Sequence, residues 1–300
     1  MNASDMQDQL AGKPGFIAAL DQSGGSTPGA LRLYGIPESA YGDEAAMYRL
    51  VHEMRVRIMG APAFTGDKVV AAILFERTMD GQAGGQPVPV FLREQRGVVP
   101  LLKVDSGLEA EKAGVCLMKP MPQLEALLVR AVKLGIAGTK MRSTIQQASP
   151  DGIAAVVAQQ FEVAGRIAGH GLLPIVEPEV SIKSPDKAGA EALLLAALTR
   201  QLDALPGQRR VVLKLTLPDV PDLYAPLAAH PGVARVVALS GGYPRADACA
   251  RLARNHGMVA SFSRALVEDL RYAMDDAVFD ATLAAAIDTI YRASTEKVAA

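Results

Sequence analysis

Lys214 sits in the middle of "VVLKLTLP" (211–218), a run that otherwise reads as a buried strand. An unpaired ammonium among apolar groups is costly. Such a lysine is paired, reaches its head to solvent at the strand end, or titrates far from its usual range. A lysine that is neutral at working pH is a nucleophile towards carbonyl carbon. Groups able to move the accompanying protons stand in similar runs: Asp21 ends "FIAALD" (16–21), and Glu177 and Glu179 lie in "LLPIVEPE" (172–179). Other chemistries fit poorly. His52, His170, His230 and His256 are scattered at no ligand spacing, and neither H-E-x-x-H nor C-x-x-C occurs. There is no G-x-S-x-G, and no histidine ends a strand-like run. What is left is an amine nucleophile served by carboxylates.

Eight short apolar runs must position these groups: 16–21, 69–76, 98–105, 136–142, 172–179, 211–217, 233–240 and 258–264. Continuous Val/Ile/Leu-rich runs of this length fit parallel strands covered on both faces. Segments of helical periodicity lie between most of them, at 43–60, 121–135, 149–171, 188–205, 247–257 and 278–294. Ser149 and Pro150 provide a cap and a first-turn proline for the third of these. Strand and helix in alternation predict a parallel sheet, and eight repeats in about 250 residues predict a closed (β/α)8 TIM barrel. An open doubly wound sheet is the alternative. The loop after the first strand, "QSGGSTPG", carries neither a dinucleotide nor a P-loop fingerprint.

Polar residues gather at one end of these strands. Asp21 ends strand 1, Lys103 and Asp105 end strand 3, and Lys140 and Arg142 stand in strand 4. Glu177 and Glu179 follow in strand 5 and Lys214 in strand 6. Ser240 ends strand 7, and Ser261, Ser263 and Arg264 lie near the end of strand 8. In a barrel those ends converge on one rim, where such enzymes work. Ser240, Gly241 and Gly242 after strand 7 and Arg264 after strand 8 lie where barrels often bind phosphate, with glycines for close approach and a guanidinium as clamp. "DQSGGS" (21–26), with Ser23 and Ser26, could join Lys103 at a second phosphate; the signal is weaker because Gly/Ser loops are common turns.

The 300 residues carry 31 Lys+Arg against 32 Asp+Glu, which points away from nucleic acid or an anionic membrane as partner. No apolar run reaches the ~18 to 20 residues of a membrane span. The start "MNASDMQDQLAGKPG" is a short polar extension without the features of a signal peptide. Cys116 and Cys249 read as small apolar fillers in a reducing compartment. One barrel domain filling 1–300, with the barrel at about 15–295, in a soluble cytoplasmic protein, is the expected organisation.

In this order, "LDQS", "LKVD", "GTKMR", "VEPEV", "LKLTLP", "LSGGY" and "SFSRAL" resemble the class I fructose-1,6-bisphosphate aldolases, in their shorter bacterial form. The likeness runs from about residue 15 to 295. It implies a (β/α)8 barrel, no cofactor, no metal, and a small sugar phosphate as binding partner. It further implies Lys214 as Schiff-base nucleophile, Glu177 as acid/base for dehydration, and Asp21 acting on the substrate hydroxyls during carbon–carbon cleavage. Lys140, with Glu179, would shape the field around the amine. Ser240, Gly241 and Arg264 would hold the 1-phosphate, and Ser23, Ser26 and Lys103 the 6-phosphate, with Arg142 nearby. Two departures stand out. Gln22 occupies a position where animal relatives carry Glu, and the ending "RASTEKVAA" lacks their C-terminal tyrosine, so another group or water must reprotonate the carbanion. A monomer or small homo-oligomer is expected. The rivals are another Schiff-base barrel such as a transaldolase or deoxyribose-phosphate aldolase, and a non-catalytic relative that binds sugar phosphates or a protein partner.

Overall fold

The computed structural model describes residues 1–207 and 209–299. Eight strands form the frame: β1 Phe16–Leu20, β2 Val69–Leu74, β3 Val99–Lys103, β4 Gly138–Ile145, β5 Leu173–Val180, β6 Val211–Thr216, β7 Val233–Leu239 and β8 Met258–Phe262. Each pairs in parallel with the next, and β8 returns to β1 through Ile17↔Ser261 and Ala18↔Phe262, closing a (β/α)8 barrel.

The helices are α1 Ala3–Gly12, α2 Thr27–Tyr34, α3 Glu44–Gly60, α4 Leu124–Lys133, α5 Pro150–Gly169, α6 Lys187–Asp203, α7 Arg245–Ala253 and α8 Asp276–Thr295. Ser149 caps α5 by accepting from the Gly152 amide at 3.2 Å, with Pro150 in the first turn. Two crossovers lack a long helix. Between β2 and β3 run only short helical turns and a small hairpin, and between β6 and β7 stands the single turn Ala225–Ala228. Strand ends shift by a few residues from the hydrophobic runs. β4 continues to Ile145, paired in parallel with β5 up to Val180 and antiparallel with the short strand Val115–Cys116, and β2 stops at Leu74 because Glu76 opens a helical turn.

Alternation along the strands divides the apolar residues into two cores. Phe16, Ala18, Leu20, Leu213 and Leu215 face outward and pack with the helices. Ile17, Ala19, Ile73, Val99, Leu101, Leu173, Ile175, Val212 and Val237 face inward and fill the N-terminal half of the barrel. The polar N-terminal extension folds as α1, and its two buried apolar residues, Met6 and Leu10, join this inner core as a plug. Gln9 donates to the carbonyls of Val70 and Gly97, and Arg235 to that of Lys13, which fixes the plug to the N-terminal strand ends. At that same end, Lys297 donates to the carbonyls of Leu252, Met258 and Ala293, and Val298 to that of Ala253.

Both cysteines are free; Cys249 is buried, which pushes its thiol up to about 11, and Cys116 is half-buried. Among the described residues, no helix is long and apolar enough to cross a membrane.

Candidate active site

Above the apolar plug, the inward-facing positions change character. Val212 is followed inward by Lys214, Ile175 by Glu177 and Glu179, Leu101 by Lys103, and Ala19 by Asp21. The same period of two that buries the apolar layer therefore stacks the charges at the C-terminal mouth. Asp21, Ser23, Ser26, Lys103, Lys140, Arg142, Glu177, Glu179, Lys214, Ser240, Gly241, Gly242 and Arg264 all line one cavity of about 980 Å³ there. This volume lies near the upper end of small-molecule sites. A smaller groove of about 330 Å³ between α5 and α6, mostly apolar, contains none of them.

The charges alternate in sign along a chain of contacts. Lys214 Nζ stands 3.2 Å from Glu177 Oε1, and Glu177 Oε2 stands 3.0 Å from Lys140 Nζ. Lys140 Nζ lies 2.6 Å from Asp21 Oδ2 and 4.0 Å from Asp105 Oδ2, and Asp105 Oδ1 is 2.8 Å from Lys103 Nζ. Lys103 and Lys140 are register partners across β3 and β4, a like-charge pairing that Asp105 offsets from between them. On the open side, Arg142 donates to Glu179 at 3.0 Å.

Burial and neighbours compete at each group, and the winner differs. Burial alone would raise the Asp21 carboxyl, but the attraction of Lys140 and Lys214 prevails and holds it far below the usual carboxylate range. Burial likewise opposes the charge on Lys140, yet Asp21, Glu177 and Asp105 together raise its pKa above the ordinary lysine value. Lys140 is thus a fixed cation. At Glu179 burial prevails instead: its pKa is raised despite Arg142, and Glu177 adds to the rise.

The glycines after β7 are required by geometry. Gly241 and Gly242 have φ of 62° and 115°, in the left-handed region, and a Cβ on Gly241 would stand 2.6 Å from Ile182 Cγ2. A Cβ on Gly242 would stand 3.5 Å from Arg264 Nη2, so the guanidinium lies directly against this turn. Across the mouth, Ser23 and Ser26 fold into a tight turn in which the Ser26 hydroxyl donates to the Ser23 carbonyl at 2.9 Å.

Three residues at the site were given no role from sequence. Asp105 had a usable signal, since it follows Lys103 by two and so shares its face. Gln22, beside Asp21, lines the cavity and donates from Nε2 to Ser263 Oγ at 2.6 Å. Arg55 gave no signal: a charged residue in a patterned helix reads as a solvated face, yet it is buried beneath the β1 loop. Burial pulls its guanidinium down to about 10, with Asp21 opposing.

A closed barrel with a cavity lined by buried lysines and carboxylates at its C-terminal mouth has its charges where (β/α)8 enzymes carry their active sites. No family model matches the chain. Individual relatives do. The chain is 54% identical over 297 residues to a fructose-bisphosphate aldolase class 1 of Synechocystis sp., covering 98% of this chain and 99% of that protein. It is 51% identical over 294 residues to the protein of the same name from Porphyromonas gingivalis, at the same coverage. Among solved structures, a fructose-bisphosphate aldolase from Plasmodium falciparum, in complex with TRAP and a small-molecule inhibitor, superposes with a TM-score of 0.75. It spans 99% of this chain and 95% of its own at 19% identity, a likeness of fold. The chain belongs to the class 1 fructose-bisphosphate aldolase family.

Proposed function

We propose that this protein catalyses the reversible cleavage of fructose 1,6-bisphosphate to dihydroxyacetone phosphate and glyceraldehyde 3-phosphate, through a Schiff base on Lys214 and without a metal. The observation that carries the assignment of the amine is the difference between the two deepest lysines. Lys140 has three carboxylates within 4.0 Å, whereas Lys214 has one ionic partner, Glu177, at 3.2 Å, and faces the open cavity. At 4 Å, each opposite charge is worth on the order of 4 kcal/mol at an effective dielectric of about 20. Lys140 is thereby committed as a cation, and Lys214 is left as the nucleophile. The family and the full-length identities support the substrate.

In this scheme Lys214 passes a proton to Glu177 across their 3.2 Å contact, and the freed amine adds to the C2 carbonyl of the open-chain sugar, one amine proton moving to the former carbonyl oxygen to give the carbinolamine. Glu177, within reach of the amine, protonates the departing hydroxyl of the carbinolamine, and water leaves to give an iminium. Asp21 takes the proton of the C4 hydroxyl as the C3–C4 bond breaks, and the bonding electron pair passes into the iminium to give an enamine. Lys140 holds Asp21 ionised and therefore able to accept that proton. Glyceraldehyde 3-phosphate leaves, C3 takes a proton from water or another group, balancing the one removed by Asp21, and hydrolysis of the iminium frees dihydroxyacetone phosphate. Ser240, Gly241, Gly242 and Arg264 receive the 1-phosphate, and Ser23, Ser26 and Lys103 the 6-phosphate, with Arg142 beside the chain. Clamping both ends of a flexible sugar confines it to reactive alignment.

Each site carboxylate faces a lysine or arginine, and among the described residues no three His, Cys, Asp or Glu gather where they could hold a metal ion. We infer a cytoplasmic monomer or small homo-oligomer, and no nucleic-acid or membrane partner. The test is a cleavage assay on fructose 1,6-bisphosphate, sedoheptulose phosphates and deoxyribose 5-phosphate, with and without EDTA. Preference for the first, unaffected by EDTA, is expected. Preference for another sugar would overturn the substrate, and inhibition reversed by zinc would overturn the metal-free route.

A further inference from the structure

Gln22 joins three parts of the mouth that the chain keeps far apart. Its neighbours are Asp21, bound to Lys140, and Ser23, in the turn assigned to the 6-phosphate. Its side-chain amide crosses to β8 and donates to Ser263 Oγ at 2.6 Å, one residue before Arg264, which is assigned to the 1-phosphate. Its own carbonyl accepts from Arg55 Nη2. Arg55 rises from α3 and is 1% exposed; its Nη1 donates to Thr78 Oγ1 at 2.7 Å, itself buried after β2. A guanidinium fork of this kind fixes an acceptor in direction as well as distance. Burying that guanidinium is costly and yields no contact with the cavity, so apart from its charge, which Asp21 feels, it acts there through what it holds.

We propose that Gln22, held in place by Arg55, is a positioning residue that clasps the β1 loop to the β8 loop and sets the spacing between the two phosphate-binding ends. The proposal rests on the function assigned above. β1 and β8 are already ladder partners through Ile17 and Ser261, but the ladder ends below the loops. Above it, the Gln22–Ser263 bond is a side-chain link between the residues next to Ser23 and Arg264. A substrate with one phosphate uses one end and is indifferent to the spacing. A substrate with two is not.

The test compares kcat/KM for fructose 1,6-bisphosphate with that for fructose 1-phosphate, reading kcat and KM separately. In Gln22→Ala the ratio of the two should fall roughly tenfold, mainly through a higher KM for the bisphosphate. Ser263→Ala, a smaller change, should lower the same ratio in the same direction, and the double variant should lower it no further. Arg55→Lys, which keeps the charge and loses the fork, should do so by a smaller factor. A ratio within about twofold of wild type in both Gln22→Ala and Ser263→Ala would overturn the clasp, because loss of folded protein lowers both substrates together. A second readout needs no substrate. In amide hydrogen exchange, Gln22→Ala should speed residues 263–267 as well as 22–27. Unchanged exchange at 263–267 would contradict the clasp even if the wild type cleaved neither sugar, an outcome that would by itself overturn the assigned function.

Discussion

Lys187 and Lys214 are buried alike, with side chains 6% and 4% exposed, and each sits beside a buried glutamate. Their surroundings differ in how many of the three ammonium protons find acceptors. Lys187 Nζ donates to Glu191 Oε1 at 2.5 Å, the Leu217 carbonyl at 2.9 Å and Asp219 Oδ1 at 2.9 Å, which uses all three. Lys214 has Glu177 at 3.2 Å and open cavity beyond. A saturated buried lysine fastens α6 to the loop after β6; an unsaturated one is free to react. Burial of an amine thus does not mark a nucleophile. On the function proposed above, incomplete satisfaction at the head of a cavity does.

Removing the two amines should break the comparison in opposite ways. Lys214→Met should lower kcat by roughly five or six orders of magnitude, as loss of a nucleophile does elsewhere, with the thermal midpoint little changed. Glu177→Gln, which keeps the shape and loses the titrating group, should lower kcat by roughly 10²- to 10⁴-fold in a steady-state assay. Lys187→Met should instead cost about 3–5 kcal/mol in urea unfolding, because Glu191 is left as a buried unpaired charge. The kcat per folded molecule should stay at the wild-type value. Arg264→Ala should raise KM for fructose 1,6-bisphosphate by roughly ten- to a hundredfold with little change in kcat, since it removes a charge-assisted clamp used throughout the reaction. Unchanged affinity would place the 1-phosphate elsewhere.

The smallest effect is in the acid limb of stability. The Asp21 carboxyl is lowered by folding, so its contribution is present above its unfolded value of about 3.9 and is lost as pH falls through the folded value. The Glu191 carboxyl is raised, burial outweighing its bond to Lys187, so its contribution runs the other way. Between pH 3 and 5, Asp21→Asn should flatten the rise of unfolding free energy with pH, and Glu191→Gln should steepen it. Equal slopes in both variants would contradict the contrast.

Much of this was legible in the sequence because period-two alternation is strong in buried parallel strands. Eight apolar runs located the strands, and the charges interrupting them near their ends, Lys214 and Glu177 above all, were the inward-facing ones. What escaped notice depended on partners distant in the chain. Met6 and Leu10 lie in a polar stretch and acquire meaning only as the plug of a closed barrel. Arg55 sits in a helix whose pattern assigns charges to solvent, and its burial is explained by partners far along the chain, the Gln22 carbonyl and Thr78. Val115–Cys116 is too short a strand to signal itself, yet it pairs with the tail of β4 at Thr144 and Ile145. Saturation was equally invisible: nothing in the polar stretch around Lys187 signals its burial until Leu217 and Asp219 fold back upon it.

The most direct measurement is borohydride reduction of the protein incubated with dihydroxyacetone phosphate, followed by mass-spectrometric mapping of the adduct. A single adduct on Lys214, absent from Lys214→Met and unaffected in Lys187→Met, is the expected result. An adduct on Lys140 or another lysine, or none in folded protein, would contradict the assignment of the unsaturated amine as nucleophile.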